Sequence, residues 1–357
     1  MLYQSYFKKN KVNQLILNRK INWFFDIKSI IYNKIDNKLI KKYANQINYD
    51  FAILKKKNIN QSNNIRKSFL SKKIKFSKFI KNDKNFKKKI INLIRLITKA
   101  KSENYLKHFI VHGSIASEDY VKNWSDFDTF VVIKDDTLKD VKKIIKLRKI
   151  LKKIYLKILN FSKFQHHGLI FYTESDLKNY LSGYLPKEAM DKNFNIFRNE
   201  KVTFFQNKKK NNISLEYIKK RKNFLKLAVK KKLYDHHTIN NNIMKLPVKA
   251  NDPYMFQLIY HITSMLNVPI LFLDSIGKSS HKKKSFKKFY KIVKDKFVIK
   301  NIRKNENLRK MFKEKQITNN KIPSWLIKKI DVNYFLECAI TLEKTLIKIN
   351  KIIQDTK

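Results

Sequence analysis

An alternation of helical and strand patterns between residues 86 and 172 constrains the fold of this chain more than any other feature. Apolar residues at helical spacing alternate there with short, continuous apolar runs of the kind that form buried strands. The predicted elements are a helix from Phe86 to Lys101, a helix from Leu138 to Leu159, and strands at Phe109–Val111, Phe127–Ile133 and Leu169–Tyr172. This order predicts a small α/β layer.

The segments on either side of this layer carry mostly helical patterns. Before residue 86, apolar pairs alternate irregularly with Lys and Asn, which favours a basic, mostly helical region. Beyond residue 206 the strand patterns fade, and Phe286, Phe289, Tyr290 and Val293 follow the spacing of one helix face. We therefore predict an α+β fold. A small mixed-sheet core at residues 86–205 would lie between an N-terminal helical region, residues 1–85, and a C-terminal helical domain, residues 206–357.

The charge of the chain is strongly positive, with 81 Lys and Arg against 28 Asp and Glu and a formal net charge of +53. Such a surface attracts polyanions. The excess is almost all Lys, and it comes with abundant Asn, Ile, Phe and Tyr, which all have A/T-rich codons. Genome composition is therefore the favoured explanation of the charge, and selection for nucleic-acid binding is the alternative.

The cysteine content and the N-terminus bear on the compartment of the protein. The one cysteine, Cys338, excludes an intrachain disulfide and a cysteine-based zinc cluster. Lys8, Lys9 and Lys11 interrupt the stretch where a signal peptide needs an apolar core, and no later run is long enough for a membrane span. We expect a cytoplasmic protein without a membrane partner.

A Gly-Ser turn follows the first predicted strand, at Gly113 and Ser114. Glycine lets the backbone turn tightly and approach a ligand closely. Ser114 would then begin a helix, where unpaired N–H groups favour a phosphate. The turn is therefore a candidate phosphate site.

Two carboxylates, Asp126 and Asp128, lie two residues apart on the second predicted strand. Both side chains would project from one face, while Phe127 would point into the core. Such a pair can hold Mg²⁺, or Mn²⁺, and leave coordination positions for phosphate oxygens. The alternative is an edge strand with exposed polar residues beside an ordinary turn glycine. Because both patterns occur in order between fitting elements, we favour a site for phosphoryl transfer.

These motifs resemble the nucleotidyltransferase superfamily typified by DNA polymerase beta, the kanamycin nucleotidyltransferases and the CCA-adding enzymes. The matching residues are Val111 to Ser114, a spacer, and then Ser125 to Asp128, within a similar region from Phe86 to about Thr173. The resemblance implies that Gly113, Ser114 and Ser125 bind a nucleoside triphosphate. It also implies that Asp126 and Asp128 are catalytic and bind magnesium.

The sequence departs from the family pattern at a third carboxylate, which family members usually carry on the next strand. The corresponding stretch, Gln165 to Phe171, contains no Asp or Glu. His167, or His166 beside it, could act as a base or a ligand instead. A satisfied polar residue at the strand entrance is an equal alternative. Glu174 and Asp176 lie beyond the strand and are more typical of a helix cap around Ser175.

The sequence therefore predicts a magnesium-dependent enzyme that moves a nucleoside monophosphate from a triphosphate to an acceptor hydroxyl. A small molecule, an RNA 3′ end and a protein side chain are all chemically suitable acceptors. The alternative is a weak or inactive relative that binds nucleotide or nucleic acid without transfer. A third possibility is a partner in a toxin–antitoxin pair.

Overall fold

The computed structural model divides the chain into two units, residues 1–120 with 125–209, and residues 121–124 with 210–357. It describes residue 7 and residues 12–32, 35–56, 64–73, 84–102, 104–117, 120–121, 124–161, 165, 168–181, 184–207, 213–230, 253–280, 282–315 and 324–355. The predicted domain boundaries near residues 85 and 205 stay predictions.

The first unit contains one mixed sheet of six strands together with helices. The strands are β1 (Asn64–Lys73), β2 (Leu106–Val111), β3 (Thr129–Ile133), β4 (Phe171–Thr173), β5 (Phe194–Asn195) and β6 (Glu200–Asn207). Their order across the sheet is β4-β3-β2-β5-β1-β6, with β3/β4 and β1/β5 parallel and the other pairs antiparallel. The helices are α1 (Gln14–Phe24), α2 (Asn37–Lys56), α3 (Lys84–Ser102), α4 (Gly113–Ala116), α5 (Asp135–Leu138), α6 (Val141–Phe161) and α7 (Glu174–Lys178), with a π-helix at Lys28–Tyr32 and a 3₁₀ helix at Lys187–Met190.

The predicted α+β class with a mixed sheet between flanking helices is confirmed, but several element boundaries differ. β3 begins at Thr129 rather than Phe127, and β4 at Phe171 rather than Leu169. β1 lies in the region expected to be mostly helical. Its residues alternate between polar and apolar types only at the N-terminal end, Asn64 to Arg66, so the strand pattern is weak in the sequence.

Both faces of β3, the interior strand next to the edge strand β4, are buried, which explains its continuous apolar run. Val131 and Ile133 join a core cluster with residues of α1, α2, α3 and α6. Phe130 and Val132 face the opposite cluster, where rings predominate. The main members of that cluster are Phe69, Tyr172, Tyr180, Tyr184 and Phe204. The sheet therefore lies between a helical layer and a layer of aromatic side chains.

Side-chain amides of α1 cover β4, the strand at one edge of the sheet. Asn18 and Asn22 donate to the carbonyl oxygen of Phe171 at 3.0 and 2.8 Å, and Asn22 also accepts from its N–H at 2.8 Å. Gln14 donates to the buried carboxylate of Asp176 at 2.9 Å. These contacts satisfy backbone groups that an open edge would expose.

The approach to β4 is fixed by Tyr155 on α6. Its hydroxyl donates to the carbonyl of Phe25 at 2.6 Å and accepts from the N–H of Leu169 at 3.0 Å. Gly168 passes so close that a Cβ atom there would lie 2.7 Å from the Tyr155 hydroxyl oxygen. A side chain at residue 168 would therefore displace the chain that enters β4.

The second unit is helical in its described part. Its helices are α8 (Ile213–Lys230), α9 (Pro253–Leu266), α10 (Val268–Ser275), α11 (Lys282–Val293), α12 (Lys296–Glu314), α13 (Ser324–Ile327) and α14 (Val332–Gln354). A buried hydrogen bond of 2.7 Å from Tyr334 to Asn305 joins α14 to α12. Burial raises the pKa of the nearby Cys338 thiol to about 12. No described helix of either unit is both long and apolar enough to cross a bilayer.

Glu200 at the start of β6 binds three neighbouring side chains. His108 Nδ1 lies 2.7 Å from its Oε1, Arg198 Nε lies 2.9 Å from its Oε2, and the Asn195 amide also donates to it. Burial alone would raise the pKa of Glu200, but the bonds from His108 and Arg198 outweigh it and lower the pKa to about 2. The ionised carboxylate is therefore the form that stabilises the fold.

We expect Glu200→Gln to lower the free energy of unfolding at neutral pH by about 1–3 kcal/mol. A depressed folded-state pKa stabilises above the unfolded value of 4.5, and the contribution disappears as the pH falls toward about 2. The gap between wild type and variant in urea unfolding should therefore close over that interval. Glu188→Gln, in the same unit, is the control and should show no such closing. A gap that stays constant down to low pH would contradict this assignment.

Candidate active site

The two halves of the sequence motif meet because β2 and β3 are antiparallel neighbours. Val111, the last residue of β2, pairs with Thr129, the first residue of β3. One step further out, the N–H of His112 donates to the carbonyl oxygen of Asp128 at 3.1 Å. The turn after β2 therefore lies beside the segment that carries the two aspartates.

Gly113 and Asp128 are in direct contact. Gly113 has a φ of +71°, in the left-handed region that favours glycine. A Cβ atom at this position would lie 2.8 Å from Cγ of Asp128 and closer still to a carboxylate oxygen. Glycine is thus needed both for the turn and for the space that the Asp128 carboxylate occupies.

The helix after the turn, α4, is only one turn long. Ile115 anchors it in the core, while Ser114 is half-buried. The Ser117 N–H closes the turn by donating to the Gly113 carbonyl at 3.0 Å. A single turn has a small dipole, so an anion here would depend on individual N–H groups rather than on a long helix.

Asp126 and Asp128 lie in the segment that leads into β3, not in the strand that the sequence predicted. The predicted alternation is nevertheless present, since Phe127 is buried in the core and both aspartates are half-buried. Ser125 is buried beside them. Among the described residues, no group of three His, Cys, Asp or Glu side chains is placed to hold a metal ion. Two half-buried carboxylates still suit Mg²⁺, which commonly binds one or two protein carboxylates and takes its other ligands from water and phosphate.

Gln165 fixes the peptide between the two aspartates, a role that the sequence analysis missed. Its side-chain oxygen accepts from the N–H of Phe127 at 2.8 Å, and the residue is 1% exposed. The two residues are 38 positions apart, so no local pattern reveals the bond. The hydrogen bond between Gln165 and Phe127 forms only in the folded chain, where the approach to β4 lies beside the start of β3.

The third carboxylate that the resemblance leads one to expect on β4 is absent from the described residues there. Residues 168–173, which form the approach and the strand, include no Asp or Glu. His166 and His167 lie outside the described residues. Thr129 is buried, and its hydroxyl oxygen accepts from the N–H of Ile170 at 3.2 Å. This bond joins the start of β3 to the approach to β4, which is a structural reason for a hydroxyl at residue 129.

The carboxylates just after β4 stabilise helix starts. Thr173 and Asp176 form a reciprocal capping box at the start of α7. The sequence suggested a helix cap around Ser175, which lies between these two residues. Burial raises the pKa of Asp176, although four neighbouring hydrogen bonds oppose this effect. Glu174 accepts from the N–H of Asp135 at 3.0 Å and pairs with Lys107 at 2.9 Å. Both side chains are thus committed to local structure.

Comparison with protein families assigns a class to this arrangement. Residues 91–181 match the family model described as a nucleotidyltransferase domain, a span that runs from α3 to just beyond α7. No curated protein and no solved structure gives a significant match. Over about a quarter of the chain, residues 91–181 are therefore similar to a nucleotidyltransferase domain, which supports nucleotidyl transfer as a general function.

We expect Gly113→Ala to destabilise the protein more than Gly277→Ala, a matched control with a φ of +74° in the second unit. Both variants force alanine into the left-handed region, at a cost of about 1–2 kcal/mol. Gly113→Ala must in addition displace the Asp128 carboxylate, which adds about 1–3 kcal/mol. Urea unfolding of both variants measures the difference. Equal losses would show that Asp128 does not press on Gly113.

Proposed function

We propose that the chain is a magnesium-dependent nucleotidyltransferase that moves a nucleoside monophosphate from a triphosphate to an acceptor hydroxyl. The observation that carries this proposal is the contact of the Asp128 carboxylate with Gly113 inside a span that matches the nucleotidyltransferase domain. A phosphate bound at the turn would lie beside the carboxylates that bind the ion.

Each site residue has a distinct role in this proposal. Asp126 and Asp128 would hold Mg²⁺, or Mn²⁺ in its place. The bound ion would neutralise charge on the phosphates. Gly113 would allow close approach of the triphosphate, and Ser114 and Ser125 would donate hydrogen bonds to it.

The transfer step is an in-line displacement at the α-phosphorus. The acceptor oxygen forms a bond to that phosphorus while the bond to the β-phosphate oxygen breaks, and pyrophosphate leaves with the electron pair. The acceptor proton needs a base, and we assign it to His167, with His166 as the alternative. A neutral imidazole can accept the proton near neutral pH.

A binding module without transfer is the second candidate, because residues 168–173 contain no carboxylate. The nucleotide partner is the same in both cases. For the enzyme, the acceptor is a small molecule, an RNA or a protein.

The discriminating experiment incubates the full chain with labelled ATP, CTP, GTP and UTP in the presence of Mg²⁺ and a panel of acceptors. We expect pyrophosphate release that Asp126→Asn and Asp128→Asn each reduce by about a hundredfold, because each removes charge that faces the phosphates. Asp136→Asn is the control, since Asp136 is an exposed carboxylate of the same unit paired with Lys139. Nucleotide binding without release across the panel would favour the module. Equal activity in all three variants would exclude the proposed site.

We expect Gln165→Leu to raise the Mg²⁺ concentration needed for half-maximal pyrophosphate release. The substitution removes the acceptor for the Phe127 N–H, so the peptide between the carboxylates is no longer fixed. Gln165→Glu keeps an acceptor oxygen at this position and should retain more of the wild-type metal dependence. A purely structural role would lower thermal stability in both variants and leave the Mg²⁺ dependence unchanged.

A further inference from the structure

Helix α6 carries positive charge on its exposed side and no negative charge at all. It has 21 residues, of which seven are Lys, one is Arg and none is Asp or Glu. Its apolar residues, such as Leu147, Leu151 and Ile154, are buried in the core. All seven of its lysines are exposed. Six of them have no side-chain ion pair within 4 Å of a described carboxylate, although Lys143 is near enough to Asp136 to help lower the pKa of that carboxyl: Lys142, Lys143, Lys149, Lys152, Lys153 and Lys157.

Helix α3 extends this surface. It packs against α6 and buries Leu93 and Ile97 in the same core cluster. Its 19 residues also include no Asp or Glu, and Lys88 and Arg95 are exposed. We call the exposed sides of α3 and α6 together the basic helical face.

Genome composition alone does not account for this face. At the frequency of the whole chain, 28 acidic residues in 357, two helices of 19 and 21 residues would carry about three. The long helices of the second unit do carry such residues, and there they neutralise lysines. The pairs are Lys226–Glu343 at 2.7 Å, Lys304–Glu337 at 2.8 Å and Lys344–Asp295 at 3.0 Å. Codon bias enriches Lys throughout a chain. The described helices α1, α9 and α11 also lack Asp and Glu, but they have 11, 14 and 12 residues, whereas α3 and α6 have 19 and 21 residues and pack against each other.

We propose that the basic helical face docks the phosphate backbone of double-stranded RNA. Rows of lysine along a helix recur at each turn, about every 5.4 Å, and supply untargeted charge to successive phosphates. Phosphates lie closer together along an RNA strand than along DNA because of the sugar pucker of RNA, which suits this short repeat. The proposal does not depend on the transfer reaction.

The exposed residues of the face favour a duplex over single-stranded nucleic acid and over an anionic membrane. Tyr155 of α6 is buried, so the described side chains of this helix offer no exposed ring on which an unpaired base could stack. Leu156 is the exposed large hydrophobic residue of α6, at 40% exposure. A helix that binds a membrane surface needs a row of such residues to enter the lipid. Double-stranded RNA is recognised mostly through its shape and backbone, which needs neither feature.

The test compares two triple variants of the full chain with equal charge. Lys149→Gln/Lys153→Gln/Lys157→Gln removes three lysines along the exposed side of α6. Lys220→Gln/Lys300→Gln/Lys351→Gln removes three exposed lysines from helices of the second unit. Glutamine has nearly the helix propensity of lysine, so both variants should fold, which circular dichroism checks. Binding of a short, labelled, blunt-ended RNA duplex is measured by anisotropy over a range of salt concentrations, without nucleotide or Mg²⁺.

We expect the α6 variant to bind the duplex at least about tenfold more weakly, with a salt slope lower by about three. The control should bind like the wild type. Equal weakening in both variants would overturn the proposal, because the charge would then act diffusely. Tighter binding of a DNA duplex, of single-stranded RNA or of vesicles with anionic lipid would also overturn it. Since no turnover is measured, loss of pyrophosphate release in Asp126→Asn or Asp128→Asn leaves the result unaffected.

Discussion

The antiparallel pairing of β2 with β3 is the constraint on which the candidate site depends. It brings the Gly113 turn beside the aspartate segment, and the His112 to Asp128 bond ends the pairing at that point. The Asp128 carboxylate then occupies the space that a side chain at Gly113 would need. A phosphate bound at the Gly113 turn would consequently lie next to the Asp128 carboxylate. A metal ion held by that carboxylate would then contact the phosphate.

Buried contacts from other parts of the first unit stabilise the segment that carries the two aspartates. Phe127 is buried between the two aspartates, and its N–H is bound by Gln165 from the approach to β4. That approach is in turn fixed by Tyr155, which leaves room only for glycine at residue 168. The aspartates are therefore positioned by buried contacts from the approach to a neighbouring strand, and such support limits the motion of the two carboxylates.

Local patterns in the sequence predicted much of this arrangement. The alternation of Asp126, Phe127 and Asp128 predicted which side chains are buried, and the apolar spacing of α6 predicted a helix there. The contacts that fix the site were not predictable in this way, because Gln165 reaches Phe127 across 38 residues. β1 was missed because periodicity is weak in a polar strand whose pairing with β6 spans more than a hundred residues. The site residues themselves, His167 included, stay predictions.

The distribution of charge bears on two explanations of the lysine excess, of which composition alone favours codon usage over nucleic-acid binding. In the second unit, lysines of α8, α12 and α14 are partly neutralised by carboxylates across helix pairs, as expected when codon usage raises lysine and the fold accommodates it. On α6 six exposed lysines have no ion pair with a described carboxylate, and their mutual repulsion destabilises the helix slightly. Over the long surface of α3 and α6, a partner that supplies negative charge would relieve this repulsion. A regular phosphate backbone supplies it along the whole helix at once.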